Sequence, residues 1–141
     1  MRKFLLFAFG TLLLMAAAAC KKTMDDVTKP GVSLPAVTDL TLQQTDANNV
    51  KISWKIPGNI PAEIQQPLNV YIEVNQVLTV MKTVNVSTVT LPDAPLEYTF
   101  KLPDPAKTYH FTVKLNGQTQ KTDKNYSGNI YSLGQTVTYQ K

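Results

Sequence analysis

Strict two-residue alternation of apolar and polar side chains, repeated in short runs, is the feature that most constrains this chain. Val50, Ile52 and Trp54 alternate with Lys51 and Ser53. Leu68, Val70, Ile72 and Val74 alternate with Asn69, Tyr71 and Glu73, and Leu96, Tyr98, Phe100 and Leu102 with Glu97, Thr99 and Lys101. Tyr109, Phe111, Val113 and Leu115 alternate with His110, Thr112 and Lys114. A period of two places one set of side chains on one face of a strand, so each run is expected to be a half-buried β-strand. Val37–Leu42 opens the series and Tyr131–Tyr139 closes it, while the Val/Thr-rich stretch Val77–Thr90 is expected to supply one or two edge strands. From Pro35 onward no segment carries the 3.6-residue pattern of an amphipathic helix, and prolines fall mostly at the run boundaries. About seven short strands in some 105 residues imply an all-β chain: one sandwich of two antiparallel sheets spanning residues 35–141.

The N-terminus obeys a different logic. Met1-Arg2-Lys3 is positive, Phe4–Met15 is an apolar run of 12 residues, and Ala16–Ala19 are small, with Cys20 directly after them. A membrane-spanning helix needs about 20 apolar residues. The shorter run and small-residue end are the layout of an export signal, expected to occupy residues 1–19. Lys21–Leu34 has no periodicity and contains Pro30-Gly31, so residues 20–34 are expected to form a flexible tether.

Ala17-Ala18-Ala19-Cys20 resembles the lipobox of bacterial lipoproteins, with Ala17 in place of the usual bulky aliphatic residue. The resemblance implies that Cys20 is the lipid-attachment residue and the first residue of the mature chain. It also accounts for the position of the single cysteine, which has no partner for an intramolecular disulfide. Asp25-Asp26 in the tether resembles the acidic signal of Bacteroidetes lipoproteins displayed at the surface. The implied location is the outer membrane of the cell envelope, with outward display favoured over a periplasm-facing position. The membrane is then one partner, reached through the lipid on Cys20.

The sandwich segment resembles a fibronectin type III domain, a member of the immunoglobulin-like class. Pro35-x-Val37-x-x-Leu40 is similar to that family's first strand, and Val50-x-Ile52-x-Trp54 followed by Pro57 to its second, with Trp54 in the core. Tyr71-x-Glu73 falls where the third strand opens. Leu102–Tyr109 is similar to the turn into the tyrosine corner, which makes Tyr109 a structural residue whose hydroxyl bonds back to the preceding turn.

Composition excludes several functions. The chain carries 14 Lys plus Arg against 10 Asp plus Glu. Removing Arg2 and Lys3 with the signal leaves a net charge near +2 and no arginine, so no nucleic-acid partner is expected. His110, the only imidazole, lies on the polar phase of its run, and no Gly-x-Ser-x-Gly turn accompanies it. Asp93, Glu97, Asp104 and Asp123 are scattered over turns and outward phases. No zinc, calcium or phosphate-loop motif occurs. No enzyme activity, cofactor or metal is expected.

Two connections between strands carry the binding potential, as loops on a rigid sandwich usually do. Asn116–Asn129, a 14-residue polar stretch, holds the candidate ligand residues Asn116, Gln118, Asn125, Tyr126 and Asn129, with Tyr131 just beyond. Amides and a tyrosine suit a glycan or protein ligand. Pro57–Pro67 is stiffened by three prolines, and Ile60 and Ile64 in it either cap the core or stand exposed. The sequence thus points to a non-catalytic, membrane-anchored binding module, accessory to nutrient uptake or adhesion. A second reading is an assembly subunit that pairs through the sheet edge at Val77–Thr90.

Overall fold

The computed structural model describes residues 32–119 and 128–141. They form eight strands: β1 (Thr38–Gln44), β2 (Asn49–Lys55), β3 (Asn69–Thr79), β4 (Lys82–Leu91), β5 (Glu97–Lys101), β6 (Tyr109–Gln118), β7 (Asn129–Tyr131) and β8 (Gln135–Tyr139). All pairings are antiparallel. One sheet has the order β1-β2-β5; the other runs β4-β3-β6, with β7 and β8 both pairing with β6. The fourth strand therefore joins the sheet opposite the first, unlike the constant-type immunoglobulin arrangement, in which it joins the first, second and fifth. The architecture is a fibronectin type III-like sandwich with its last strand split in two.

The alternating runs supply the core. Val50, Ile52 and Trp54 from β2 face Val70, Ile72 and Val74 from β3 and Tyr109, Phe111, Val113 and Leu115 from β6, all buried. Phe100 and Phe111 meet edge to face across the core, centroids 5.5 Å apart. Each fully buried side chain of this kind stabilises the fold by about 1.5–3 kcal/mol. The indole of Trp54 is buried for its apolar area alone, since its Nε1–H has no hydrogen-bond partner.

Two expectations need correction. Leu34, expected in the flexible tether, is 5% exposed, and Val32 packs against the core, so these two residues pack on the sandwich. Leu96 fits the alternation but is 55% exposed. It precedes β5, and its contribution is a backbone carbonyl that accepts the N–H of Trp54 at 3.0 Å.

The β1–β2 connection is closed by a side chain: Asp46 Oδ1 accepts the N–H groups of Asn48 (2.8 Å) and Asn49 (2.9 Å). At the β5–β6 connection, Tyr109 Oη accepts the N–H of Asp104 at 3.1 Å, forming the tyrosine corner. Tyr139 Oη donates to Pro105 O at 3.1 Å, so two tyrosines hold the same turn.

The split between β7 and β8 is a bulge. Tyr131 pairs with Asn116 but Gln135 pairs with Val113, which leaves one residue too many opposite Lys114. Ser132 bridges the gap, its Oγ accepting the N–H of Leu115 at 2.8 Å. Gly134 is required there by close approach: a Cβ would stand 2.5 Å from Thr112 Cγ2.

Candidate functional site

The registers bring the two candidate connections to one end of the sandwich. Asn69 pairs with Asn116, and Gln118 with Asn129, at the same end where β2 ends at Lys55. The segment 57–68 folds over this end with Ile64 buried and Ile60 against the core, so it is a cap. Its junction with β6 is hydrogen-bonded: Gln65 N–H donates to Gln118 O at 2.8 Å, and Ile64 bridges to Thr119. Gly117 permits the approach, because a Cβ there would lie 2.7 Å from Ile64 Cγ2 and 2.9 Å from Leu68 Cδ2.

Between cap and strand lies a cleft of about 180 Å³, lined by Gln65, Gln66, Pro67, Asn69, Asn116, Gly117 and Gln118. Five of the seven lining residues carry amides. Each amide offers both a donor and an acceptor, which matches the vicinal hydroxyls of a sugar better than a charge would.

Beside the cleft, on the outer face of the sheet, Tyr71 and Tyr131 meet edge to face at 5.5 Å. Lys114 Nζ bonds Glu73 Oε2 at 3.1 Å and sits 5.9 Å from the centre of the Tyr71 ring. Tyr71 is thus held by its neighbours, while Tyr131 is 49% exposed and free to offer an edge or face to a ligand.

The placement of the sequence candidates is uneven. Gln118, Asn129 and Tyr131 are at the cleft end and accessible. Asn116 belongs to β6 rather than to a loop and is 8% exposed. Its Nδ2 donates to Asn129 Oδ1 (2.6 Å) and Ile130 O (3.2 Å), so its side chain ties β7 to β6. The connection expected over Asn116–Asn129 is correspondingly shorter, because β6 continues through Gln118. Asn125, Tyr126 and Cys20 lie outside the described residues.

Sequence reasoning missed Gln65, Gln66 and Asn69, whose signal was the polar run preceding an alternating strand. It also left Tyr71 in a structural role. His110 lies on the outer face between Asn75 and Thr138. Among the described residues, no three His, Cys, Asp or Glu side chains are grouped to hold a metal.

A second exposed feature lies at the opposite end. β3 and β4 run past the point where β6 begins at Tyr109, and their turn carries Val80 and Met81 fully exposed, with Leu78 47% exposed.

Fold and face together define a fibronectin type III-like module with an amide-lined cleft at one end. The chain belongs to the family described as a domain of unknown function, DUF4945, whose model matches residues 20–139. No curated protein matches it. Among solved structures it is similar to a fibronectin type III domain of human collagen XX, at 18% identity over 79% of this chain and 98% of that one, with a TM-score of 0.48. It is also similar to the third fibronectin type III domain of human KIAA0343, at 13% identity over 78% and 86% of the respective chains, with a TM-score of 0.49.

Proposed function

We propose that this protein is a lipid-anchored envelope module that binds a saccharide at the cleft beside Tyr131. The observation that carries this reading is the juxtaposition of the amide-lined cleft with the half-exposed Tyr131 ring. Amides orient hydroxyls, and a tyrosine ring stacks on the apolar face of a pyranose. The anchor is Cys20. In support, the family match starts at that residue, which the signal reading makes the first of the mature chain. Two or three acyl chains, each buried methylene contributing about 0.8 kcal/mol, hold a domain of this size firmly at a bilayer. The acidic pair Asp25-Asp26 in the tether supports outward display over a periplasm-facing position.

The anchor is tested by intact mass of the membrane-extracted protein, with Cys20→Ala as control. An acylated N-terminal cysteine is expected, and an unmodified or uncleaved chain contradicts it. The binding site is tested by glycan-array screening of the wild type against Gln118→Ala, a substitution at an exposed position. Loss of the glycan signal is expected, and undiminished binding by Gln118→Ala counts against this cleft.

A further inference from the structure

The sandwich has several sheet edges, and they are not treated alike. β1 is broken by a bulge at Asp39, whose carboxylate pairs with Lys55 at 2.8 Å. β5 is five residues long and has a charged residue at each end, Glu97 and Lys101. β7 has three residues before the Gly134 bulge, and β8 lies beside β1. Shortness, charge and bulging are the devices by which natural sheets keep an edge from pairing with another chain.

β4 has little of this protection. It is ten residues long, contains no proline, and its one charge, Lys82, stands at its first position. Among the described residues no strand pairs with it on the side away from β3. Its pairing with β3 shifts register twice, between Val77 and Thr79 near the turn and at Val86, which has no counterpart between Ser87 and Asn85; the bulge at Val86 is stabilised from within. Asn85 Nδ2 donates to Asn75 Oδ1 (3.1 Å) and Ser87 O (3.2 Å) rather than projecting across the edge. The side chains near the edge are apolar or hydroxylic, with Val84 44% and Val86 37% exposed.

We propose that β4 is a dimerisation edge, pairing antiparallel with β4 of a second copy of this chain to join the two larger sheets into one. Self-complementarity selects this occupant. The Val86 bulge shifts the alternation, so that Val84, opposite Gln76, and Leu91, opposite Val70, both fall on the core side. A two-fold register setting Val84 against Leu91 of the other copy also sets Asn85 against Thr90, outward residue against outward residue. In this register Lys82 of one copy stands near the turn Pro92-Asp93 that follows β4 of the other, twice per dimer. Neither Lys82 nor Asp93 has an ion-pair partner among the described residues. An isologous contact of this kind closes on itself and gives a dimer rather than a fibre.

Thr88 lies next to the two-fold axis and is exposed, so Thr88→Lys brings two like charges together without touching the core. The test is sedimentation velocity over a hundredfold dilution series. It uses the mature chain carrying Cys20→Ser, which removes lipid and thiol and keeps the result independent of the anchor and of saccharide binding. The wild-type edge is expected to give a dimer whose dissociation constant rises at least tenfold in Thr88→Lys. Lys82→Glu and Asp93→Lys are each expected to weaken it, and the double exchange to restore it, with thermal melts confirming that every variant is folded. A monomer throughout the series overturns the proposal. So does a dimer indifferent to Thr88→Lys, which would place the contact elsewhere, for instance at the Val80-Met81 turn.

Discussion

The hydroxyl of Tyr109 accepts the backbone N–H of Asp104, five residues back in the chain, at 3.1 Å. The ring of Tyr109 is fully buried, and that of Tyr139 lies 6.4 Å away, with its own hydroxyl on Pro105 O. The crossover from β5 to β6 is therefore held at two successive residues by tyrosines from neighbouring strands. Tyr109→Phe keeps the packing and deletes one bond. It is expected to cost about 1 kcal/mol, read as a fall in Tm of about 4–8 °C. The double variant with Tyr139→Phe is expected to cost more than the sum of the singles, because either bond alone still restrains the turn. A calorimetric scan of the three variants checks this.

Asn116 should act as a clip rather than as a ligand residue. Asn116→Asp removes the donor that holds Asn129 Oδ1 and Ile130 O and sets a carboxylate against two acceptors. A loss of about 1–3 kcal/mol is expected from leaving these groups unpaired. Amide exchange should speed up at Ile130 and Tyr131, while Val70 and Ile72 in the centre of the sheet stay protected. Uniform acceleration across the sheet would contradict a local role.

Gly117→Ala tests the join between cap and strand. The added methyl meets Ile64 and Leu68, both buried and unable to swing away into solvent. Overpacking of this kind costs about 1–3 kcal/mol. Because Gln65 and Gln118 are bonded across the same join, the variant is also expected to weaken ligand binding at the cleft. Unaltered Tm in a urea or thermal melt would mean that the cap accommodates the methyl freely.

Stability should fall at both ends of the pH scale. Asp46 is held below its ordinary value, first by the side-chain bond from Asn49 (2.8 Å) and then by the backbone N–H of Asn48. A lowered folded-state value stabilises above the unfolded value of 3.8, and that stabilisation is lost as pH drops through the folded value. Lys55 is raised above 10.5 by its hydrogen bond to Asp39 and by that carboxylate's charge. Its contribution is present below 10.5 and is lost as pH climbs through the folded value. Denaturant midpoints against pH are expected to fall below about pH 4 and above about pH 10.5. Asp46→Asn should flatten the acid limb alone.

What could be read from the sequence was whatever burial imposes on a strand. Val50, Ile52 and Trp54, the Leu68–Val74 run and the Tyr109–Leu115 run each alternate because one face meets the opposite sheet, and all are buried. The same rule misplaced Leu96, because alternation does not mark where a strand starts. The site was harder. Asn116-Gly117-Gln118 has the composition of a turn, yet it continues β6, and its glycine answers to Ile64 and Leu68, about fifty residues earlier in the chain. Gln65, Gln66 and Asn69 become binding candidates only because Ile64 and Gln65 are bonded to β6, a tertiary contact without a local signal.

The central claim is that the Tyr131 side of the amide cleft binds a saccharide. Its most direct test is a glycan array probed in parallel with the wild type and Tyr131→Ala, followed by calorimetric titration of the best glycan. Removing the ring also removes the edge-to-face contact with Tyr71, at a cost of about 0.5–1.5 kcal/mol that leaves the domain folded. The account predicts at least one glycan class retained by the wild type and bound about tenfold more weakly by Tyr131→Ala, a difference of about 1.4 kcal/mol. No glycan bound by the wild type, or equal affinity in the folded variant, would contradict it.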